Sequence, residues 1–272
     1  MNRPEPVPAA PVLRREDGDH IAILTLDRPA ARNSLSEAML AALGDTLTAI
    51  AADRDIRVVV LAAEGPAFCA GHDLKELTAH RADPDRGRAY FAKIMDMCSA
   101  VMQAIVALPQ PVIAAVERTA TAAGCQLVAS CDLAVASETA TFCTPGVHIG
   151  LFCSTPMVAL SRNVAPKHAM EMLLTGEPIG AAEAARIGLV NRVVPAGTAR
   201  EAALAMARTI AAKSSATVAI GKKAFYAHRE MGLAEAYRYA AAVMVENMLA
   251  RDAQEGIGAF IEKRRPNWEH RQ

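Results

Sequence analysis

The sequence predicts an α/β chain, with a core in which strands alternate with helices and a helical C-terminal extension behind it. Three observations carry this. Short apolar runs bounded by turn residues alternate with stretches of helical period as far as about Val193. Beyond that point almost every periodic stretch is helical, including residues 202–212 and 233–249. The composition, 52% hydrophobic but only 4% aromatic over 272 residues, is that of a core built from small and branched aliphatic side chains.

Taken in order, residues 1–11 read as a flexible Pro/Ala tail, residues 12–195 as the core and residues 196–272 as the helical region. Residues 12–16 and 21–26, separated by Asp17, Gly18 and Asp19, form a hairpin pattern. Ser34 and Glu37 have capping-box spacing ahead of Met39, Leu40, Leu43, Leu47 and Ile50, which recur at helical period. Residues 58–62 make a short buried strand. Phe91, Ile94, Cys98, Val101 and Ile105 mark a long helix that must stop near Pro109 and Pro111. Residues 112–116, 133–136 and 141–144 read as strands, with a short helix at 122–130. No sequence repeat of solenoid length is visible.

Several function classes lose support at once. Twenty-nine basic residues balance 29 acidic ones, so no overall field exists to hold a nucleic acid. The six cysteines, Cys69, Cys98, Cys125, Cys131, Cys143 and Cys153, show no metal-finger spacing and read as buried thiols. No run of 18 apolar residues suggests a membrane span, and the Pro-punctuated residues 1–13 resemble neither a signal peptide nor an amphipathic presequence. The expected location is therefore the cytoplasm.

Chemistry is expected at two turns dense in small residues, Phe68 to Leu74 and Thr121 to Gln126. Where a strand enters a helix through small residues, backbone N–H groups point outward and can hold an oxyanion. Each turn alone is better explained by close helix–strand packing.

The order and surroundings of the two turns resemble the crotonase (enoyl-CoA hydratase/isomerase) superfamily over nearly the whole chain. The matching segments are Leu26-Asp27-Arg28-Pro29 with Asn33 and Leu35, Phe68 to Leu74, Gly124-Cys125-Gln126-Leu127 with Cys131-Asp132, Leu174-Thr175-Gly176 with Gly188-Leu189-Val190, and Glu255-Gly256 through Trp268. The resemblance implies a spiral of ββα units with a helical trimerisation region, a trimer or dimer of trimers, and an acyl-CoA thioester as substrate. By position, the backbone N–H groups of His72 and Ala123 would hold the thioester carbonyl as it becomes an enolate. Coenzyme A enters as part of the substrate, and no other cofactor, metal, nucleic acid or membrane partner is implied. Arg28, Ala70, Asp73 and Leu74 match the region near the nucleotide. Phe260 and Lys263 match residues that reach a neighbouring subunit's nucleotide, although Lys263 with Arg264 and Arg265 also reads as a solvated charge run.

One departure dominates. Hydratases of this superfamily use two glutamates, and here those positions hold Gln126, whose amide exchanges no proton near neutral pH, and Gly146, which has no side chain. General acid–base groups typically contribute about 10²–10⁴-fold in rate, so standard hydration is not expected. His72 and His148 are the titratable alternatives, while Asp73 reads as a loop-bonding side chain. The strings around Gly71-His72-Asp73 and Thr144-Pro145-Gly146 are most similar to the enoyl-CoA hydratase domain-containing protein 3 subgroup, and also resemble methylmalonyl-CoA decarboxylase. The readings left open are an enolate-forming enzyme without the glutamate pair, a malonyl-type decarboxylase, and an acyl-CoA binder without turnover.

Overall fold

The computed structural model describes residues 11–270, so most of the expected N-terminal tail lies outside the described residues. β1 (Leu13–Gly18) and β2 (Ile21–Leu26) form the predicted hairpin, but the turn falls at Asp19 and His20. Both adopt positive φ (51° and 63°), which suits the tight two-residue connection of right-twisted strands. α1 (Glu37–Ala52) follows, then β3 (Val58–Ala63), β4 (Ala67–Cys69), α2 (Leu74–Ala79) and α3 (Arg88–Ala107). The next unit comprises β5 (Val112–Val116), β6 (Thr119–Thr121) and α4 (Ala123–Ser130). After it come β7 (Leu133–Ser137), β8 (Thr141–Cys143), α5 (Ser154–Leu160) and α6 (Pro166–Thr175). β9 (Ile179–Gly180), α7 (Ala181–Arg186) and β10 (Arg192–Val194) complete the strand-bearing part. The helices α8 (Ala199–Ala211), α9 (Ser215–His228), α10 (Leu233–Leu249) and α11 (Arg251–Ile261) end the chain.

The strands fall into two sheets ordered β1-β2-β3-β5-β7-β10 and β4-β6-β8-β9. Each successive pair, β3/β4, β5/β6 and β7/β8, gives its first strand to the larger sheet and its second to the smaller before the chain returns through helix. That is the ββα spiral. Within the larger sheet every pairing from β2 onward is parallel. β3 explains why these strands read as continuous apolar runs. Val59 and Leu61 face the main core, while Val58, Val60 and Ala62 face α8, so neither side meets water. Ala199, Ala203, Ala207 and Ala211, spaced four apart, give α8 a smooth face that lies close on the sheet. α8 follows residue 195, where the helical region was expected to begin, yet it packs as part of the sheet's outer layer.

The start of α1 is corrected. Ser36, not Ser34, is the N-cap, its Oγ accepting the Met39 N–H at 3.2 Å. Leu35 is held in extended backbone by the segment 71–73, so the helix cannot begin earlier. The 20-residue α3 is long and apolar enough to cross a bilayer, with a mean hydropathy of 1.3. Here Ile94, Cys98, Val101, Met102 and Ile105 bury its apolar stripe against the core.

The C-terminal helices are anchored through one buried ion pair. Lys222 on α9 donates to Asp132 Oδ2 (2.7 Å) and to the carbonyls of Ile105 (2.9 Å) and Gln110 (3.0 Å). Asp132 also accepts from the Val112 N–H (2.7 Å) and the Tyr226 hydroxyl (2.9 Å). Burial pushes the Lys222 ammonium below its usual value and the Tyr226 hydroxyl above its own. Beyond this anchor the packing thins. α10 buries no residue and exposes Leu233, Tyr237, Met244, Val245, Met248 and Leu249.

Removing one partner of a buried ion pair leaves the other charge uncompensated. Asp132→Ala is therefore expected to cost about 3–5 kcal/mol of stability, read as a lower urea midpoint.

Candidate functional site

The segment from Cys69 to Asp73 is fixed by its neighbour in space, residues 28–35. Asn33, fully buried, donates to the carbonyls of Glu64 and Ala67 (both 2.8 Å) and accepts the Arg28 N–H (2.8 Å). The Ala70 N–H bonds the Arg32 carbonyl (3.0 Å), and Leu35 donates to the Gly71 carbonyl (2.8 Å). Gly71 itself sits at φ +87°, a left-handed conformation that only glycine adopts without strain.

The second turn meets the first there. A methyl group built on Gly71 would stand 3.0 Å from the Ala122 Cβ and 3.4 Å from the Ala123 nitrogen. One built on Gly124 would collide with the Cys69 carbonyl, so the first turn of α4 is wedged against the end of β4. The two expected oxyanion donors thus lie on adjoining turns. Neither the His72 N–H nor the Ala123 N–H bonds an acceptor among the described residues, and Ala123 is the first residue of α4, where N–H groups are free by helix geometry. Ala122 before it is strained, with φ 50° and ψ −118°.

The His72 imidazole is turned into the protein. Both ring nitrogens are shielded and lack a hydrogen-bond partner. Burial pushes its pKa below the usual histidine value, with the Leu35 carbonyl pulling the other way. His148 is corrected as a candidate acid or base, because its exposed ring bonds the Thr175 carbonyl at 2.8 Å, at the end of α6. Asp73 caps α2, its Oδ1 accepting the N–H groups of Lys75 (3.0 Å) and Glu76 (3.3 Å). Its Oδ2 pairs with Arg28 at 2.6 Å. Burial raises its pKa, but the Arg28 guanidinium and the two backbone donors outweigh burial and hold the carboxyl below the usual range.

Gln126 lies on α4 and Gly146 just after β8. Gln126 is only 4% exposed, its Oε1 lies 4.0 Å from the Cys98 thiol, and its amide nitrogen donates to no group among the described residues. Gly146 is sealed. A Cβ there would lie 2.8 Å from the Leu151 carbonyl and 2.9 Å from Cys153 Sγ, so a side chain would displace the segment leading into α5. All six cysteines are free and buried, and burial pushes the Cys69 and Cys98 thiols up to about 12, which removes them as nucleophiles at neutral pH.

Ala70 is half-buried beside Arg28 and Asp73, whereas Leu74 is exposed on the first turn of α2. Phe260 on α11 and Lys263, two residues past its end, are exposed, and among the described residues the Lys263 side chain makes no hydrogen bond to the two turns. Sequence reasoning missed a cavity of about 560 Å³ behind Gln126, walled by α3, α4, α5 and α9. Its signal was present, since Ser99, Met102, Gln103 and Val106 recur at helical spacing on a second face of α3. Among the described residues no group of three or more His, Cys, Asp or Glu side chains could hold a metal ion.

A family model described as enoyl-CoA hydratase/isomerase matches residues 16–271. The mitochondrial enoyl-CoA hydratase domain-containing protein 3 of Rattus norvegicus is 49% identical over 267 residues, covering 98% of this chain and 87% of the relative. The crystal structure of an enoyl-CoA hydratase from Mycobacterium smegmatis superposes with a TM-score of 0.91 at 53% identity, over 95% of this chain and 99% of that one. The human domain-containing protein 3 superposes at 0.90 with 48% identity, over 94% of this chain and 100% of that one. The expected cytoplasmic location is corrected by these findings, because five relatives of that name are called mitochondrial. The N-terminal composition that suggested it does not carry that conclusion.

Two measurements follow from the turn geometry. Ala122→Gly relieves a conformation that costs on the order of 1–3 kcal/mol and gives back less than that in chain entropy, so a rise of about 1 kcal/mol in unfolding free energy is expected. Because the buried imidazole resists a proton that the unfolded chain accepts, stability falls as pH drops below about 6.5. In His72→Gln, paired denaturation curves are expected to lose that part of the acid slope.

Proposed function

The chain belongs to the enoyl-CoA hydratase/isomerase family, and on that footing we propose that it binds acyl-CoA thioesters. In this reading the thioester enolate is held on the backbone N–H groups of His72 and Ala123, without the hydratase glutamate pair. The observation that carries the reading is the contact of Gly71 with Ala122 and Ala123, which sets two unpartnered backbone donors on adjoining turns. Preorganised donors aimed at a developing oxyanion contribute about 3 kcal/mol each. Arg28 and Asp73 hold the first turn in shape and give the nucleotide end a polar rim. Coenzyme A enters with the substrate.

The sealed Gly146 and the proton-inert Gln126 favour a reaction that reaches the enolate without removing a C–H proton. Decarboxylation of a malonyl-type thioester does so. The bond from the α-carbon to the carboxylate breaks, its electron pair enters the enolate held by the two N–H groups, carbon dioxide leaves, and water then protonates the α-carbon. The apolar faces of α10 and α11 support a homo-oligomer, a trimer or dimer of trimers, in which neighbouring copies bury them and bring Phe260 and Lys263 to a second subunit's nucleotide.

Release of carbon dioxide from malonyl- or methylmalonyl-CoA, measured beside direct binding of saturated and trans-2-enoyl thioesters, tests this reading. Binding with carbon dioxide release and without hydration is the expected result. Binding with no turnover of any thioester would make the chain a silent binder. Hydration well above a heat-treated control would overturn the reading of Gln126 and Gly146.

A further inference from the structure

The cavity behind Gln126 shares α4 with the proposed carbonyl site, since Gln126 stands one helical turn, about 5 Å, beyond Ala123. Resting on the thioester reading above, we propose that this cleft takes acyl chains of medium length ending in a carboxylate, with Arg162 and Arg229 as the distal anion site. Met102, Val106, Ala129 and Ala159 supply apolar wall, interspersed with polar residues such as Gln103, Ser130 and Thr155. From Thr155 to Arg162, both lining residues, the chain advances about two helical turns, on the order of 10 Å.

The far end is built differently. Two arginines meet there with a single carboxylate, Glu230, leaving an excess positive charge at the rim. The Arg162–Glu230 pair is loose at 3.5 Å, against about 2.7–2.9 Å for a tight charge-assisted bond. Arg229 is oriented by a bond to the Arg162 carbonyl and by the Phe225 ring 5.6 Å beneath it. A planar guanidinium with donors to spare matches a carboxylate in two-pronged fashion. A neutral methyl terminus would gain nothing from these groups.

Titration calorimetry with butyryl-CoA, octanoyl-CoA and suberyl-CoA, the last being octanoyl with a terminal carboxylate, tests the proposal on the intact protein. Suberyl-CoA is expected to bind about tenfold more tightly than octanoyl-CoA at low salt, the scale of one charge-assisted hydrogen bond. That advantage shrinks as salt rises. In the double variant Arg162→Met/Arg229→Met the two thioesters are expected to bind alike. Equal affinity in the unaltered protein overturns the proposal, as does a preference that survives the double variant. The salt series needs no substitution, so it decides the matter even if the variant folds poorly. Failure of all three thioesters to bind strikes the thioester reading itself, whereas tight butyryl-CoA binding with no advantage for suberyl-CoA strikes only the anion site.

Discussion

The close approach of α4 to the end of β4 is the constraint on which the rest depends. Gly124 has no side chain, and the space it leaves is filled by the backbone of Cys69. Any larger residue would push the helix off the strand. The wedge brings the start of α4 against Gly71, and Gly71 can lie there because it alone tolerates the left-handed turn between Ala70 and His72. Asn33 and Leu35 then stitch the same turn to the chain's opening segment. Two sheets, three spiral units and a buried asparagine converge on a pair of backbone N–H groups, and strain at Ala122 is the cost of aiming one of them.

The groups around those donors are held by packing and by hydrogen bonds to other segments. At Gly146 the space beside the backbone is taken by the Leu151 carbonyl and the Cys153 sulfur, so a side chain there would have to displace that segment. Gln126 keeps its place and its hydrogen-bonding capacity but not a titrating proton. The two histidines near the turns are diverted, His72 into the protein and His148 to the end of α6. The two turns keep backbone N–H groups that meet no acceptor among the described residues.

The C-terminal region repeats the theme of a few polar contacts governing a large apolar surface. Asp132 satisfies Lys222, Tyr226 and the backbone of Val112 together, tying α9 to the spiral. Past that tie α10 and α11 present Leu, Met and Phe side chains outward, more apolar surface than an isolated chain ordinarily leaves in water.

The sequence by itself determined the class of fold and most long elements. α10 was legible to its ends, and α1, α3 and the strands β2, β3, β5 and β7 to within a few residues, because burial on one face or both leaves a periodic or continuous apolar pattern. The two turns were legible as small-residue clusters. Short strands such as β6, β9 and β10, the cap at Ser36 in place of Ser34, and the cavity behind Gln126 were not. The strands carry no local signature, since runs of two or three residues pair only when a neighbouring strand supplies partners. Tertiary structure alone decided that Gly71 meets Ala123, that no side chain fits at Gly146, and that His148 leaves the site, because each rests on contacts between segments that no local pattern encodes.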